Sequence, residues 1–157
     1  MESSLKQEFT RRLSQCNRGE MIVIMYDIAF AYLDEAKQAY ENAQYDAYKK
    51  AIKQSQATVD TLIHALDFKF EISKDLYKLY VYVKNCLSKS IYQNRLDGIE
   101  EAESILKRLY TSFCEVAAAD TSEPIMRNTQ QVYAGMTYGK NILNENCYED
   151  NHRGFFV

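Results

Sequence analysis

The sequence predicts an all-α protein, an antiparallel up-down four-helix bundle with a short N-terminal arm or helix and a C-terminal extension. The 157 residues include one proline and five glycines, so few positions interrupt long helices. The apolar fraction of 46% is enough to build one core at this length. Apolar residues also recur at steps of three and four along four long segments. We therefore divide the chain into an arm (1–16), a bundle (17–119) and an extension (120–157).

The first bundle helix is predicted over about Asn17–Asn42. Asn17 is a residue type that accepts hydrogen bonds from the free amides at a helix start, and Glu20 three residues later completes a capping-box pattern. We therefore expect the helix to begin directly after Asn17. Its apolar stripe consists of Met21, Met25, Ile28, Ala29, Tyr32, Ala36 and Tyr40.

The second helix is predicted over about Asp46–Leu66 and the third over about Lys74–Tyr92. Between them, Asp67–Ile72 breaks the helical pattern and is expected to be a loop, with Ser73 as the cap of the third helix. The stripe of the second helix is Tyr48, Ala51, Ile52, Ser55, Val59, Leu62, Ile63 and Leu66. That of the third is Leu76, Leu79, Tyr80, Val83, Leu87 and Ile91.

The fourth helix is predicted over about Asp97–Ala119. Acidic residues crowd its first turns while Lys107 and Arg108 come later, which suits the helix macrodipole. Its apolar stripe includes Ile99, Ala102, Ile105, Leu106, Leu109, Phe113 and Val116. Short connections between all four helices favour antiparallel neighbours and hence an up-down bundle.

The two ends of the chain have a different character from the bundle. In the arm, Leu5, Phe9 and Leu13 repeat every four residues, which fits either an amphipathic helix docked on the bundle or a fraying end. Asp120–Pro124 reads as a linker. A short helix over Gln130–Tyr138 would contain two glycines, each of which costs about 1 kcal/mol in a helix interior, so it is either loosely ordered or folded against something.

Charge and composition exclude several classes of partner. A formal net charge of −3 argues against nucleic acid, which requires clustered cations. The apolar run Met21–Met25 is far too short to span a bilayer, so we expect no membrane insertion. The start of the chain lacks the pattern of a secretion signal. We therefore expect a cytoplasmic protein whose four scattered cysteines are reduced thiols.

No pattern of catalytic or metal-binding residues is found. A di-iron bundle needs two Glu-x-x-His steps, whereas the only histidines are His64 and His152 and neither belongs to such a step. Asp60 and His64 share a helix face, but a lone pair of this kind is usually a solvated contact. Nucleophile elbows and glycine-rich phosphate loops are also missing from the sequence. We predict that the chain is not an enzyme and carries no metal and no cofactor.

Tyrosine is the compositional exception, with thirteen copies and no tryptophan. A tyrosine ring is apolar with a polar tip, which suits surfaces that are covered by a partner for part of the time. Tyr77, Tyr80 and Tyr82 lie close together on the third helix. Either this helix is buried on nearly all sides or it presents aromatic rings to a partner. The same alternatives apply to Tyr45 and Tyr48.

Four segments, once set side by side, resemble the FliS family of flagellar export chaperones. Residues 17–29 read Asn-Arg-Gly-Glu-Met-Ile-Val-Ile-Met-Tyr-Asp-Ile-Ala, similar to a family motif with a Ser-Pro-Glu-Glu-Leu start and a Leu-Tyr-Asp-Gly-Ala end. Leu62–Asp67, Leu76–Tyr82 and Leu109–Phe113 are similar to later motifs in the same order. The sequence departs from the family at Ile28, where the family has glycine, at Asn17-Arg18, where it has Ser-Pro, and after Asp120.

The resemblance implies a cytoplasmic chaperone that binds the C-terminal segment of flagellin, prevents premature polymerisation and aids delivery to the flagellar export apparatus. Other flagellar export or regulatory proteins are further candidate partners. The alternative is a structural or regulatory bundle with a different protein partner, including a second copy of itself. Either the arm or the tail strip Val132–Tyr138 could fill the client groove when it is empty. The candidate partner-binding residues are Phe9, Leu13, Met25, Tyr26, Asp27, Tyr48, Leu66, Tyr77, Tyr80, Tyr82 and Phe113.

Overall fold

The computed structural model describes residues 3–126, which form five helices. They are α1 (Ser3–Gln15), α2 (Arg18–Glu41), α3 (Tyr45–His64), α4 (Glu71–Gln93) and α5 (Asp97–Ala119). No strand occurs in this part of the chain, so the predicted all-α class is confirmed. The predictions made for the tail, a helix over Gln130–Tyr138 and a groove-filling strip, concern residues outside the described range.

Helices α2 to α5 form the predicted antiparallel four-helix bundle. Each contacts the next along the chain, and α5 also contacts α2, which closes the ring. The register of α2 and α5 shows the antiparallel direction, because Gly19 lies against Ala117 whereas Lys37, further along α2, pairs with Glu103. The N-terminal end of α2, the α3–α4 connection and the C-terminal end of α5 therefore lie at the same end of the bundle.

The start of α2 is the one predicted from its capping residues. The Asn17 side chain accepts a hydrogen bond from the Glu20 amide at 2.8 Å, and the Asn17 amide donates to the Glu20 carboxylate at 3.0 Å. These two bonds satisfy two amides that the helix itself leaves without acceptors. The capping box is confirmed.

The predicted start of α4 is wrong by one turn. The helix begins at Glu71 with Phe70 as its N-cap residue, so Ser73 lies inside it. Ser73 is buried, and its hydroxyl donates to the Asp67 carbonyl at 2.7 Å across the α3–α4 connection. The Ser73 side chain therefore anchors the α3–α4 connection from a position inside α4. A serine near a predicted helix start can either cap the helix or form a bond of this kind, and the sequence pattern is the same in both cases.

The bundle core contains three tyrosines whose hydroxyls all have partners. Tyr26 and Tyr80 share a hydrogen bond of 2.6 Å between their hydroxyls, and the Tyr48 hydroxyl donates to the carbonyls of Ser90 and Arg95. Buried tyrosine is stable when its hydroxyl is satisfied in this way. The fully buried side chains around them include Leu33, Ile52, Leu62, Val83, Leu87, Ile99 and Leu106.

The arm is a helix that is docked on the bundle. α1 returns along α2 after a connection of only two residues, Cys16 and Asn17. Phe9 is only 7% exposed and belongs to a small cluster, separate from the bundle core, with Cys16 and Ile24. Of the two alternatives for the arm, the structure therefore has the docked amphipathic helix.

Candidate partner-binding surface

α2 has a second apolar face, which points away from the bundle core. We call it the outer face and define it as Met21, Ile24, Ile28 and Ala31. α1 covers this face with Leu5, Phe9 and Leu13. The outer face is thus a surface on which an amphipathic helix already lies, with apolar side chains spaced at three and four residues on both partners.

A groove lies on each side of the outer face. The first, between α1, α2 and α5, encloses about 420 Å³ and is lined by Arg12, Gln15, Cys16, Glu20, Val23, Ile24, Cys114 and Ala117. The second, between α2 and α3, encloses about 310 Å³ and is lined by Met25, Ile28, Tyr32, Gln54, Ala57, Thr58 and Thr61. Because Ile24 and Ile28 each line one groove, the outer face and both grooves form one continuous surface.

Polar groups fasten α1 to this surface at one main point. An Arg12 guanidinium nitrogen lies 2.7 Å from an Asp27 carboxylate oxygen, with both side chains partly exposed, and the guanidinium also lies 5.8 Å from the centre of the Phe9 ring. Burial, together with hydrogen bonds to Cys114 and Asp27, raises the pKa of Tyr110 to about 12. Asp27 therefore joins α1, α2 and α5.

Large apolar side chains are also exposed at the α3–α4 connection. We call Phe68, Phe70, Ile72 and Tyr77 the aromatic patch; Phe70 and Ile72 are 63% and 67% exposed. The Phe68 and Tyr77 rings pack edge to face with centroids 5.9 Å apart. Exposed apolar patches of this kind often mark interaction sites, so the aromatic patch is a second candidate surface.

Three of the predicted binding residues belong to the bundle core. Tyr26 and Tyr48 are completely buried and Tyr80 is 1% exposed. In this conformation their side chains cannot contact a partner, and the prediction that they do so is corrected here. The sequence pattern placed Tyr48 and Tyr80, but not Tyr26, on apolar stripes, and it could not show that the three hydroxyls find partners inside the bundle.

Two further candidates support the core from its edge. Phe113 is half-buried and its ring centroid lies 5.6 Å from that of Tyr26. Leu66, also half-buried, packs against the same core from the end of α3. Both residues hold the bundle together, and a role for them in partner binding stays a prediction.

The remaining candidates lie on the two surfaces described above or beside them. Phe9, Leu13 and Asp27 hold α1 on α2, and Met25 lines the α2–α3 groove. Tyr77 belongs to the aromatic patch. Tyr82 is exposed on α4, where its hydroxyl donates to the Glu101 carboxylate at 2.6 Å, and this hydrogen bond raises the pKa of Tyr82 to about 12.

Several residues of these surfaces were not identified from the sequence. Ile24 lies off the stripe that we assigned to α2, although Met21 and Ile28 of the same outer face lie on it. Arg12 has no motif that links it to Asp27. The Phe68-Lys69-Phe70 sequence did carry a signal, since two phenylalanines in a predicted loop have no helix stripe in which to be buried.

Residues 3–126 contain neither a group of metal ligands nor a membrane-spanning helix. No three His, Cys, Asp or Glu side chains there converge as metal ligands would. None of the five helices has an apolar stretch long enough to cross a membrane.

The described residues form a helical bundle whose apolar outer face is covered by an amphipathic helix, an arrangement suited to holding helical segments. The family comparison agrees with this fold. A family model described as flagellar protein FliS matches residues 1–120, which include all five helices. The chain belongs to the FliS family of flagellar export chaperones, as the sequence motifs predicted. A search of curated proteins gives no match to this chain.

Proposed function

We propose that this chain binds the C-terminal segment of flagellin in the cytoplasm, keeps flagellin from polymerising early and aids its delivery to the flagellar export apparatus. The observation that carries the proposal is the outer face of α2, a continuous apolar surface already shaped to hold an amphipathic helix. Membership of a chaperone family supports the same role. A flagellin segment with apolar residues at helical spacing would bind there as α1 does.

α1 is attached to the outer face by few contacts, which supports its replacement there by a flagellin segment. Within its range, Phe9 is the one buried side chain, and its main polar contact is a partly exposed ion pair. Exposed ion pairs contribute only about 0–1 kcal/mol. A longer client that also fills the two grooves would bury far more apolar area than α1, on the order of 1,000–3,000 Å² for segments that fold on binding.

The first experiment is calorimetric titration of the full chain with a peptide from the C-terminal segment of flagellin of the same organism. We expect one-to-one binding with a negative heat-capacity change, the signature of apolar burial. Absence of binding would contradict the proposed function, because all the residues of the outer face are present in the chain used.

Two variants identify the face that the peptide uses. Phe9→Ala loosens α1 without altering α2, so peptide affinity should rise if the outer face is the site. Phe70→Ala removes an exposed ring of the aromatic patch and should leave the affinity unchanged. The opposite pattern, with loss of affinity in Phe70→Ala and no gain in Phe9→Ala, would move the client site to the aromatic patch.

The aromatic patch supports a second candidate function, binding of another flagellar export or regulatory protein or of a second copy of the chain. Its charges do not select a partner, because Lys74 and Lys78 each lie near an acidic side chain of the same helix, Glu71 and Asp75. Sedimentation of the wild type and of Phe70→Ser tests self-association. A dimer that Phe70→Ser converts to monomer would support binding of a second copy at the aromatic patch, whereas a monomeric wild type would exclude self-association there.

A further inference from the structure

The segment that follows α5 returns to the start of α2 and is bonded there at three points. The Asp120 carboxylate accepts a hydrogen bond from the Gly19 amide at 3.2 Å. The Asn17 side-chain amide donates to the Asp120 carbonyl at 3.1 Å. Further on, the Ile125 amide donates to the Cys16 carbonyl at 3.0 Å. Residues 120–126 therefore touch both residues of the α1–α2 connection.

The bond from Gly19 to Asp120 adds to the cap of α2. Asn17 satisfies the Glu20 amide, and Asp120 satisfies the Gly19 amide one position earlier, so side chains from two distant parts of the sequence share one helix end. A carboxylate is favoured beside the free amides of a helix N-terminus. Gly19 allows this approach, because a Cβ there would lie 3.1 Å from both the Ala117 Cα and the Asp120 carboxylate.

The third bond acts on the residue about which α1 would turn. Cys16 and Asn17 are the whole connection between α1 and α2, so any movement of α1 away from the outer face must change the backbone angles of these two residues. The bond from Ile125 fixes the Cys16 carbonyl, and the bond from Asn17 to Asp120 fixes the other residue.

We infer that residues 120–126 form a strap that holds the α1–α2 connection closed, so that the docking of α1 is controlled by a segment that lies beside this connection but is distant in sequence. The strap rests on the bonds above and does not require a client. Its consequence for flagellin rests on the proposed function: if α1 covers the client site, loosening the strap increases client affinity.

Cys16 offers a direct measurement of opening. Its thiol is buried, 4% of the residue being exposed, and donates to the Leu13 carbonyl at 3.3 Å. A buried thiol is alkylated only when the surrounding structure opens. Labelling with iodoacetamide, read by mass spectrometry at each cysteine, therefore reports the opening of the α1–α2 connection in the full chain.

The decisive pair of variants compares residue 125 without and with its backbone amide hydrogen. Ile125→Pro removes the donor to Cys16 because proline has no backbone N–H, whereas Ile125→Ala keeps the donor and removes only an exposed side chain. Ile125→Pro should speed labelling of Cys16 about fivefold, the effect of one hydrogen bond. Ile125→Ala should match the wild type.

Asp120 gives an independent test of the same strap. Asp120→Ala removes the acceptor of the Gly19 amide and should speed labelling of Cys16 by a similar factor. Thr121→Ala, at an exposed neighbouring position, is the matched control. Equal labelling of Cys16 in the wild type, Ile125→Pro and Asp120→Ala would overturn the inference.

Cys86, buried in the bundle core, separates local from global opening in the same samples. If the labelling rates of Cys16 and Cys86 rise by the same factor, the variants have destabilised the whole bundle and the strap is rejected. Flagellin binding is measured separately. Faster labelling of Cys16 in a chain that does not bind the flagellin peptide would leave the strap standing and reject the proposed function.

Discussion

The bundle core and the contact between α1 and α2 are built from the same kinds of side chain, yet only the core is deeply buried. In the core, whole aromatic rings and their hydroxyls are removed from water. In the α1 contact, three residues are buried, Phe9, Cys16 and Ile24, with half-buried neighbours around them. The difference shows how one helix, α2, can serve folding with its inner face and binding with its outer face.

The polar groups of the two regions also differ in how far they are removed from water. The hydroxyl pair of Tyr26 and Tyr80 is inaccessible to water, so a broken bond there leaves an unsatisfied buried group. The ion pair of Arg12 and Asp27 is partly hydrated already, so breaking it costs little. α1 should therefore be able to leave the bundle without unfolding it, and the predictions below test this separation.

The largest effect is expected at Gly98, where α5 lies in close contact with α4. A Cβ at Gly98 would overlap the Cys86 carbonyl oxygen and lie 2.5 Å from the Ser90 hydroxyl oxygen. Gly98→Ala must push α4 and α5 apart, and we expect it to lower the free energy of unfolding by about 3 kcal/mol. Urea unfolding measures the change. Ser104→Ala, exposed on α5, is the control, and a loss as small as the control's would contradict the close contact.

The buried hydroxyl pair comes next. Tyr80→Phe leaves the Tyr26 hydroxyl buried without its partner and should cost about 2 kcal/mol of unfolding free energy. The double variant Tyr26→Phe/Tyr80→Phe removes both groups and should be less destabilising than the sum of the single variants. A thermodynamic cycle by urea unfolding gives this coupling. Additive single effects would mean that the two hydroxyls do not depend on each other.

These tyrosines also show where sequence reasoning reached its limit. The three- and four-residue spacing identified four helices and placed Tyr48 and Tyr80, but not Tyr26, on apolar stripes. Whether a tyrosine on a stripe is buried depends on finding a partner for its hydroxyl. For Tyr48 those partners are carbonyls of α4 and of the α4–α5 connection. Such partners are far away in sequence, and no pattern within one helix predicts them.

The outer face was harder to predict for a related reason. Ile24 and Ile28 belong to a helix with apolar residues on most sides, so periodicity alone does not separate the face that packs on the bundle from the face that packs on α1. The capping box at Asn17 was predictable because its residues are three apart. The second cap, Asp120, was not predictable, because it lies 101 residues along the chain from Gly19, whose amide donates to its carboxylate.

A smaller effect is expected at the ion pair of the α1 contact. Arg12→Gln removes the charge facing Asp27 and should weaken the docking of α1 by about 0.5–1 kcal/mol. Faster amide hydrogen exchange confined to Ser3–Gln15 would show it, with the urea midpoint unchanged. Arg11→Gln, an exposed neighbour, is the matched control. A shift of the urea midpoint in Arg12→Gln would show that α1 and the bundle unfold as one unit.

The smallest effect concerns pH and the partly buried ion pair between Lys37 of α2 and Glu103 of α5. Burial of Glu103 opposes its ionisation, but hydrogen bonds from Lys37 and Lys107 outweigh this and hold its pKa below the ordinary value of 4.5. A carboxyl with a lowered pKa in the folded state stabilises the fold above about pH 4.5, and this contribution is lost as the pH falls through the folded value.

Lowering the pH from 5 to 3 should therefore reduce the stability of the wild type more than that of Glu103→Gln, by less than about 1 kcal/mol. The pKa of Asp120 is also lowered, by hydrogen bonds from Ser122 and Gly19, but Asp120 belongs to the strap. Urea unfolding reports the effect of Glu103 protonation on the stability of the bundle. Hydrogen exchange in α1 reports the effect of Asp120 protonation on the strap. If Glu103→Gln changed α1 exchange as much as global unfolding, the core and the α1 contact would be one cooperative unit, and the separation of folding and binding surfaces on α2 would be lost.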